Sequence, residues 1–153
     1  MCKKLHLFAV FTALLAALGL GKNSLADPPV SLTVDITGET ISNPCDPSGS
    51  SDVTATSGTA EESFHTVNLP DGSQNLHAKI TVRGEGTDSN GNIYEFGANE
   101  EEQANFGDDV LARIVAVIRV HSKTGTSFIS ILRLADLNNH QVDHQKNVCI
   151  GND

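Results

Sequence analysis

Residues 76–96 read LHAKITVRGEGTDSNGNIYEF, and the fold class is clearest in this segment. In its first half apolar and polar side chains alternate, with one phase holding Leu76, Ala78, Ile80 and Val82 and the other His77, Lys79, Thr81 and Arg83. An alternation of period two predicts a β-strand with one buried and one solvated face. The turn signal at residues 88–91, DSNG, leads into a second apolar segment, so the stretch predicts a β-hairpin.

The sequence from residue 27 onward repeats this pattern in short pieces separated by Gly, Pro, Asn, Asp and Ser clusters. Further strands are predicted at residues 30–36, 39–42, 52–56, 64–66, 110–121, 128–134 and 148–150. A buried helix is the alternative for residues 110–121, but β-branched Val and Ile favour a strand there. Roughly seven to nine strands predict an all-β antiparallel β-sandwich, with a closed antiparallel β-barrel as the alternative.

Acidic residues gather in the segment 97–109, which includes Glu100, Glu101 and Glu102. The polar composition predicts a mobile surface loop. Adjacent acids in such a loop are expected to be solvated and not to form a general acid and base pair. The polar tail at residues 137–147 is likewise expected to lack a long strand.

The N-terminal segment has the three parts of a secretory signal peptide. Lys3 and Lys4 precede an apolar run at residues 7–20, and Ser24-Leu25-Ala26 supplies the small residues that signal peptidase prefers. We predict a signal peptide at residues 1–26 and a single β-sandwich domain at residues 27–153, exported to a periplasmic or extracellular location. The apolar run is shorter than the ~20 residues of a membrane-spanning helix, so no membrane-spanning segment is expected.

The net charge narrows the range of partners. Without residues 1–26 the chain loses Lys3, Lys4 and Lys22 from its 10 basic residues, and the remaining 7 face 19 acidic residues, a formal charge of −12. Nucleic acids and anionic lipid surfaces select cationic proteins, so neither is expected as a partner.

Two cysteines follow the predicted signal, Cys45 near the start of the domain and Cys149 near its end. An even number of cysteines in an exported chain predicts a disulfide, and two cysteines allow one pairing. The alternative is a reactive or metal-binding thiol pair.

The candidate ligand site is a pair of histidines, His77 and His121. Both fall in the solvent-facing phase of predicted strands, so they would meet if those strands were close, and two imidazoles are the minimum for a shared metal. The segment 88–92 begins like a calcium loop, but Ile93 and Asn99 stand where glycine and a bidentate glutamate are required. We therefore interpret that segment as a hairpin turn and expect no metal, no cofactor and no catalytic residue.

Several short motifs resemble those of a widespread group of small exported bacterial proteins of unknown function. The matching pieces are Asn43-Pro44-Cys45, Leu76-His77-Ala78, the segment from Gly84-Glu85-Gly86 to Gly91-Asn92-Ile93-Tyr94, His121-Ser122-Lys123-Thr124-Gly125, and Cys149. The resemblance implies an exported β-sandwich with a disulfide between its N- and C-terminal parts, and it implies no assigned activity.

Two functions of different classes remain open. The first is an exported non-enzymatic binding or structural domain whose partner is an unknown protein or cell-envelope component. The second is a small metal-dependent or hydrolytic enzyme that uses His77 and His121 with a carboxylate from a loop.

Overall fold

The computed structural model describes residues 28–106, 111–137 and 140–151. These residues form eight β-strands: β1 (Val30–Asp35), β2 (Thr40–Ile41), β3 (Val53–Asn68), β4 (Gln74–Thr87), β5 (Ile93–Phe106), β6 (Leu111–Ser122), β7 (Ser127–Leu137) and β8 (His140–Ile150). Within these ranges no helix is long and apolar enough to cross a membrane. The predicted signal peptide lies outside the described residues.

All eight strands belong to one antiparallel sheet with the order β1-β3-β4-β5-β6-β7-β8, and β2 pairs with β3 beside β1. The all-β antiparallel class is therefore confirmed, with a strand number inside the predicted range. The sheet is not closed, since β1 and β8 are its two edges. Every consecutive pair from β3 to β8 is a hairpin, which brings residues close in sequence into register across the sheet.

The hairpin predicted at residues 76–96 is confirmed as β4 and β5. Thr87 pairs with Ile93 at its tip, and Gly91 there has a φ of 81°, a left-handed conformation that glycine adopts without strain. The carboxylate of Asp88 accepts hydrogen bonds from the backbone N–H groups of Asn90 and Asn92, each at 2.9 Å. It also accepts one at 3.1 Å from the hydroxyl of Tyr94, which is 1% exposed. The segment 88–92 is thus a turn whose aspartate is saturated by protein donors.

Two predictions about polar segments are wrong. Residues 97–106 are not a loop but the second part of β5, and residues 140–150 form the full strand β8. The reason is pairing: β5 lies between β4 and β6, so its backbone finds partners on both sides whatever its side chains are. Residues 107–109 of the predicted loop lie outside the described part of the chain.

The core lies on the inner face of the sheet, near the end where the 88–92 turn sits. It contains Ile36, Ile41, Val53, Ala55, Ala60, Ile80, Val82, Tyr94, Phe96, Val120 and Phe128. These residues come from β2 at one side of the sheet to β7 at the other, so the sheet must bend round them. The apolar phase predicted for the first half of the 76–96 hairpin, which includes Ile80 and Val82, supplies part of this core.

The disulfide between Cys45 and Cys149 is confirmed, with an S–S distance of 2.01 Å. Cys45 follows β2 at one edge of the sheet, and Cys149 lies in β8 at the opposite edge. The bond therefore joins the two edges and holds the sheet in its bent form. A crosslink across 104 residues stabilises the fold by at most about 4 to 5 kcal/mol in the chain-entropy model.

Replacement of Phe128 by alanine tests where the core lies. Phe128 is 1% exposed, so Phe128→Ala is expected to lower the free energy of unfolding by about 3 to 5 kcal/mol in urea denaturation followed by circular dichroism. Ile93→Ala, at a side chain that is 50% exposed, is the matched control and should cost less than about 1 kcal/mol. Equal losses in the two variants would contradict the assigned core.

Candidate functional site

The two histidines singled out from the sequence share a face of the sheet but not a site. Along β5, His77 pairs with Gln103 and His121 pairs with Glu95, so both lie in the same outward phase. Those partners are eight residues apart in β5, or about 26 Å at the rise of a β-strand. A metal with bonds of ~2 Å to nitrogen cannot bridge that gap.

His77 has a different neighbour, one that sequence reasoning missed. It lies directly opposite His65 of β3, and the two rings stack with centroids 5.1 Å apart and an interplanar angle of 7°. Their hollow, about 300 Å³, is also lined by Lys79 and Gln103. The described residues include no group of three or more His, Cys, Asp or Glu side chains arranged to hold a metal ion.

The most unusual chemistry lies on the inner face, where three glutamates are neighbours in the sheet. Glu62 of β3 and Glu100 of β5 both pair with Ile80 of β4, one from each side. Glu102 follows two residues after Glu100, so it points to the same face one step along the strand. We call Glu62, Glu100 and Glu102 the carboxylate cluster.

The side chains of the cluster are partly removed from water, although their carboxylate oxygens keep some solvent contact. Glu62 is 3% exposed, and Glu100 and Glu102 are half-buried. The side chains around it on the same face are small or apolar: Ile80, Ala104 and Ala116 are each at most 3% exposed. These neighbours offer no charge and no side-chain hydrogen-bond donor.

Burial and mutual repulsion make the carboxylates hard to ionise. Burial raises the pKa of Glu100 to about 7, with further contributions from the negative charges of Glu102 and Glu62. Burial also raises the pKa of Glu102, helped by the charge of Glu62, and burial alone raises that of Glu62. Because these groups interact, they titrate as a set.

No cation compensates the cluster within the described ranges. None of its three carboxylates has an ion pair or a hydrogen bond there, whereas Glu95 on the outer face pairs with Lys123 at 2.9 Å. Buried carboxylates in proteins are normally paired with a cation or hydrogen-bonded. This arrangement can do two things near neutral pH: take up a proton, or accept hydrogen bonds from a positively charged nitrogen of a ligand.

Sequence reasoning missed the cluster although a signal was present. From Phe96 to Ala104 every second residue belongs to the inner phase that begins with Tyr94, and Glu100 and Glu102 occupy that phase. The adjacent Glu101 falls in the outer phase and is exposed. If the alternation is continued through this segment despite its polar composition, it assigns Glu100 and Glu102 to the inner face and Glu101 to the outer face.

Comparisons of the chain with protein-family models, with curated proteins and with solved structures found no match. The resemblance to small exported bacterial proteins therefore stays a prediction.

Replacement of Glu100 by the neutral residue glutamine tests how much its charge lowers the free energy of unfolding. A carboxyl group whose pKa rises on folding lowers stability as the pH increases from its unfolded value, near 4.5, through its folded value, about 7. Glu100→Gln is therefore expected to raise the free energy of unfolding at pH 8 by about 1 to 3 kcal/mol, a figure reduced for partial solvent screening. The gain should vanish below about pH 4, where both states are protonated.

Glu101→Gln is the matched control, because Glu101 is the exposed neighbour on the opposite face. Its effect on the same unfolding curves should stay within about 0.5 kcal/mol at both pH values. A Glu100→Gln variant that is less stable than the parent protein at pH 8 would contradict the assignment of an uncompensated carboxylate.

Proposed function

We propose that the protein is an exported, non-enzymatic binding domain whose ligand places a positively charged nitrogen in the carboxylate cluster. One observation carries the proposal: three carboxylates share the inner face, close enough to repel one another, and none has a cation beside it in the described structure. A bound ammonium or guanidinium group would ionise the cluster and form charge-assisted hydrogen bonds with it.

The surroundings of the cluster indicate the rest of the ligand. Leu32 of the edge strand β1 pairs with Glu62, so it lies on the same face directly beside the cluster. Leu32 is 40% exposed and its neighbour Val30, in the same phase, is 48% exposed. Apolar side chains at the border of an acidic site favour a ligand with an aliphatic stem next to its charged group, as in a lysine side chain or an alkylamine.

The proposed partner is a protein or cell-envelope component that presents such a group. The formal charge of −12 after removal of the predicted signal supports attraction of a cationic partner at long range. The partner's positive charge offsets the repulsion among the glutamates, so binding is expected to stabilise the fold.

The register of the sheet gives no support to the alternative of a metal-dependent or hydrolytic enzyme. That function required His77 and His121 in one site, and the register of β5 separates them by about 26 Å. We therefore do not propose it.

Binding of n-hexylamine, measured by calorimetry on the purified protein, tests the proposed function. Its ammonium group, like that of lysine, stays charged from pH 5 to pH 8. Affinity is expected to be at least about tenfold higher at pH 8, where Glu100 is largely ionised, than at pH 5, where Glu100 is protonated. Neutral n-hexanol has the same stem and should bind at least about tenfold more weakly at pH 8.

Single substitutions in the carboxylate cluster show whether n-hexylamine binds there. Glu100→Gln and Glu102→Gln should each weaken binding of n-hexylamine at pH 8 by about tenfold, and the outward control Glu101→Gln should change it less than about twofold. Equal binding of n-hexanol and n-hexylamine, or an equal loss in Glu101→Gln, would refute the proposal.

A further inference from the structure

The outer face of the sheet carries a second, differently charged feature. Gly97 of β5 pairs with Arg83 of β4 on one side and with Arg119 of β6 on the other. Since neighbouring strands are ~4.8 Å apart, the two arginines start about 10 Å from each other with no side chain between them. Both arginines are exposed. Two guanidinium groups therefore border a gap that only a glycine occupies.

The gap belongs to a hollow of about 430 Å³. Its walls include the apolar side chains of Ile129 and Ile150, and Ile150 is 48% exposed. Asn99 and His121 add polar groups at the border. A concave volume of this size with apolar walls and a few polar groups is typical of a small-molecule site.

The backbone does not require glycine at position 97. The residue does not have a left-handed φ, and a Cβ added to it would meet one atom within 4 Å, the carbonyl oxygen of Val82 at 3.5 Å. That distance is an ordinary contact, so a larger residue fits the strand. The missing side chain has its main effect on the hollow, which it keeps open between the two arginines.

The arginines are available to a ligand. In the described part of the chain neither guanidinium takes part in an ion pair or a hydrogen bond. Glu95 also lines the hollow, but Lys123 holds its carboxylate at 2.9 Å and the ion pair lowers the pKa of that carboxyl. The positive charge beside Gly97 is therefore not neutralised by the nearest acid in the wall.

We propose that this hollow, which we call the Gly97 hollow, binds a small molecule that carries an oxyanion on an apolar body. Arg83 and Arg119 hold the oxyanion from two sides, since guanidinium groups donate paired hydrogen bonds to carboxylate, phosphate or sulfate oxygens. The apolar body covers Ile129 and Ile150. This site is on the opposite face from the carboxylate cluster and takes a ligand of opposite charge.

Titration of the purified protein with phenyl phosphate, benzoate and benzyl alcohol, followed by NMR chemical shifts, tests the site. Both anions should shift the amide signals of residues in the Gly97 hollow, and benzyl alcohol, which has the same ring without a charge, should bind at least about tenfold more weakly. The stronger of the two anions identifies the source of the oxyanion, phosphate ester or carboxylate.

Three variants and one control decide which residues act. Arg83→Gln and Arg119→Gln should each weaken binding of the stronger anion by about tenfold or more. Gly97→Val places a strand-favouring side chain in the gap and should abolish binding while the fold is kept, as judged by circular dichroism. Arg133→Gln removes an exposed arginine of β7 outside the hollow and should change affinity less than about twofold.

Three outcomes would overturn the proposal. The first is equal weakening by Arg133→Gln and Arg83→Gln, which would indicate attraction to surface charge in general. The second is unchanged affinity in Gly97→Val. The third is a dissociation constant above about 10 mM for both anions. Glu100→Gln should leave anion binding unchanged, so failure of this site and failure of the cationic site are distinguishable.

Discussion

Backbone pairing of β5 with both β4 and β6 sets which face of the sheet each functional side chain occupies. Each residue of β5 from Ile93 to Phe106 has a partner on β4, and Tyr94 to Asn105 also have partners on β6. A strand held on both sides cannot rotate, so its side chains alternate between the faces regardless of their polarity. This forces Glu100 and Glu102 to the inner face and leaves Gly97 on the outer face between two arginines.

The apolar core and the disulfide offset the loss of stability that the carboxylate cluster causes. The core gathers near one end of the strands, around Tyr94 and Phe96, and the bond between Cys45 and Cys149 joins the two edges of the sheet there. The carboxylate cluster lies on the same inner face, further along β5 toward Phe106. A fold made secure at one end can tolerate an unfavourable polar group at the other, and such local violations tend to mark functional sites.

The sequence predicted those parts of the fold that depend on local pattern. The hairpin at residues 76–96, its turn at residues 88–91 and the strand at 110–121 follow from alternation, turn chemistry and β-branching. The disulfide follows from the presence of two cysteines after the predicted signal, which allow one pairing. Residues 97–106 and 140–147 were missed because their composition is polar, and only the strands beside them show that they are paired. The contact between His77 and His65 and the distance from His77 to His121 depend on register, which short motifs do not reveal.

Among the described residues, the carboxylates of the inner face have no cation beside them, and their titration can be measured directly. NMR of the protein labelled with carbon-13 at the glutamate side-chain carboxyls follows each group through its own pH titration. We predict that the signal of Glu100, assigned with Glu100→Gln, changes with a midpoint near the pKa of about 7. A midpoint at the ordinary glutamate value of about 4.3 would contradict the account, because the side chain would then be solvated or already paired.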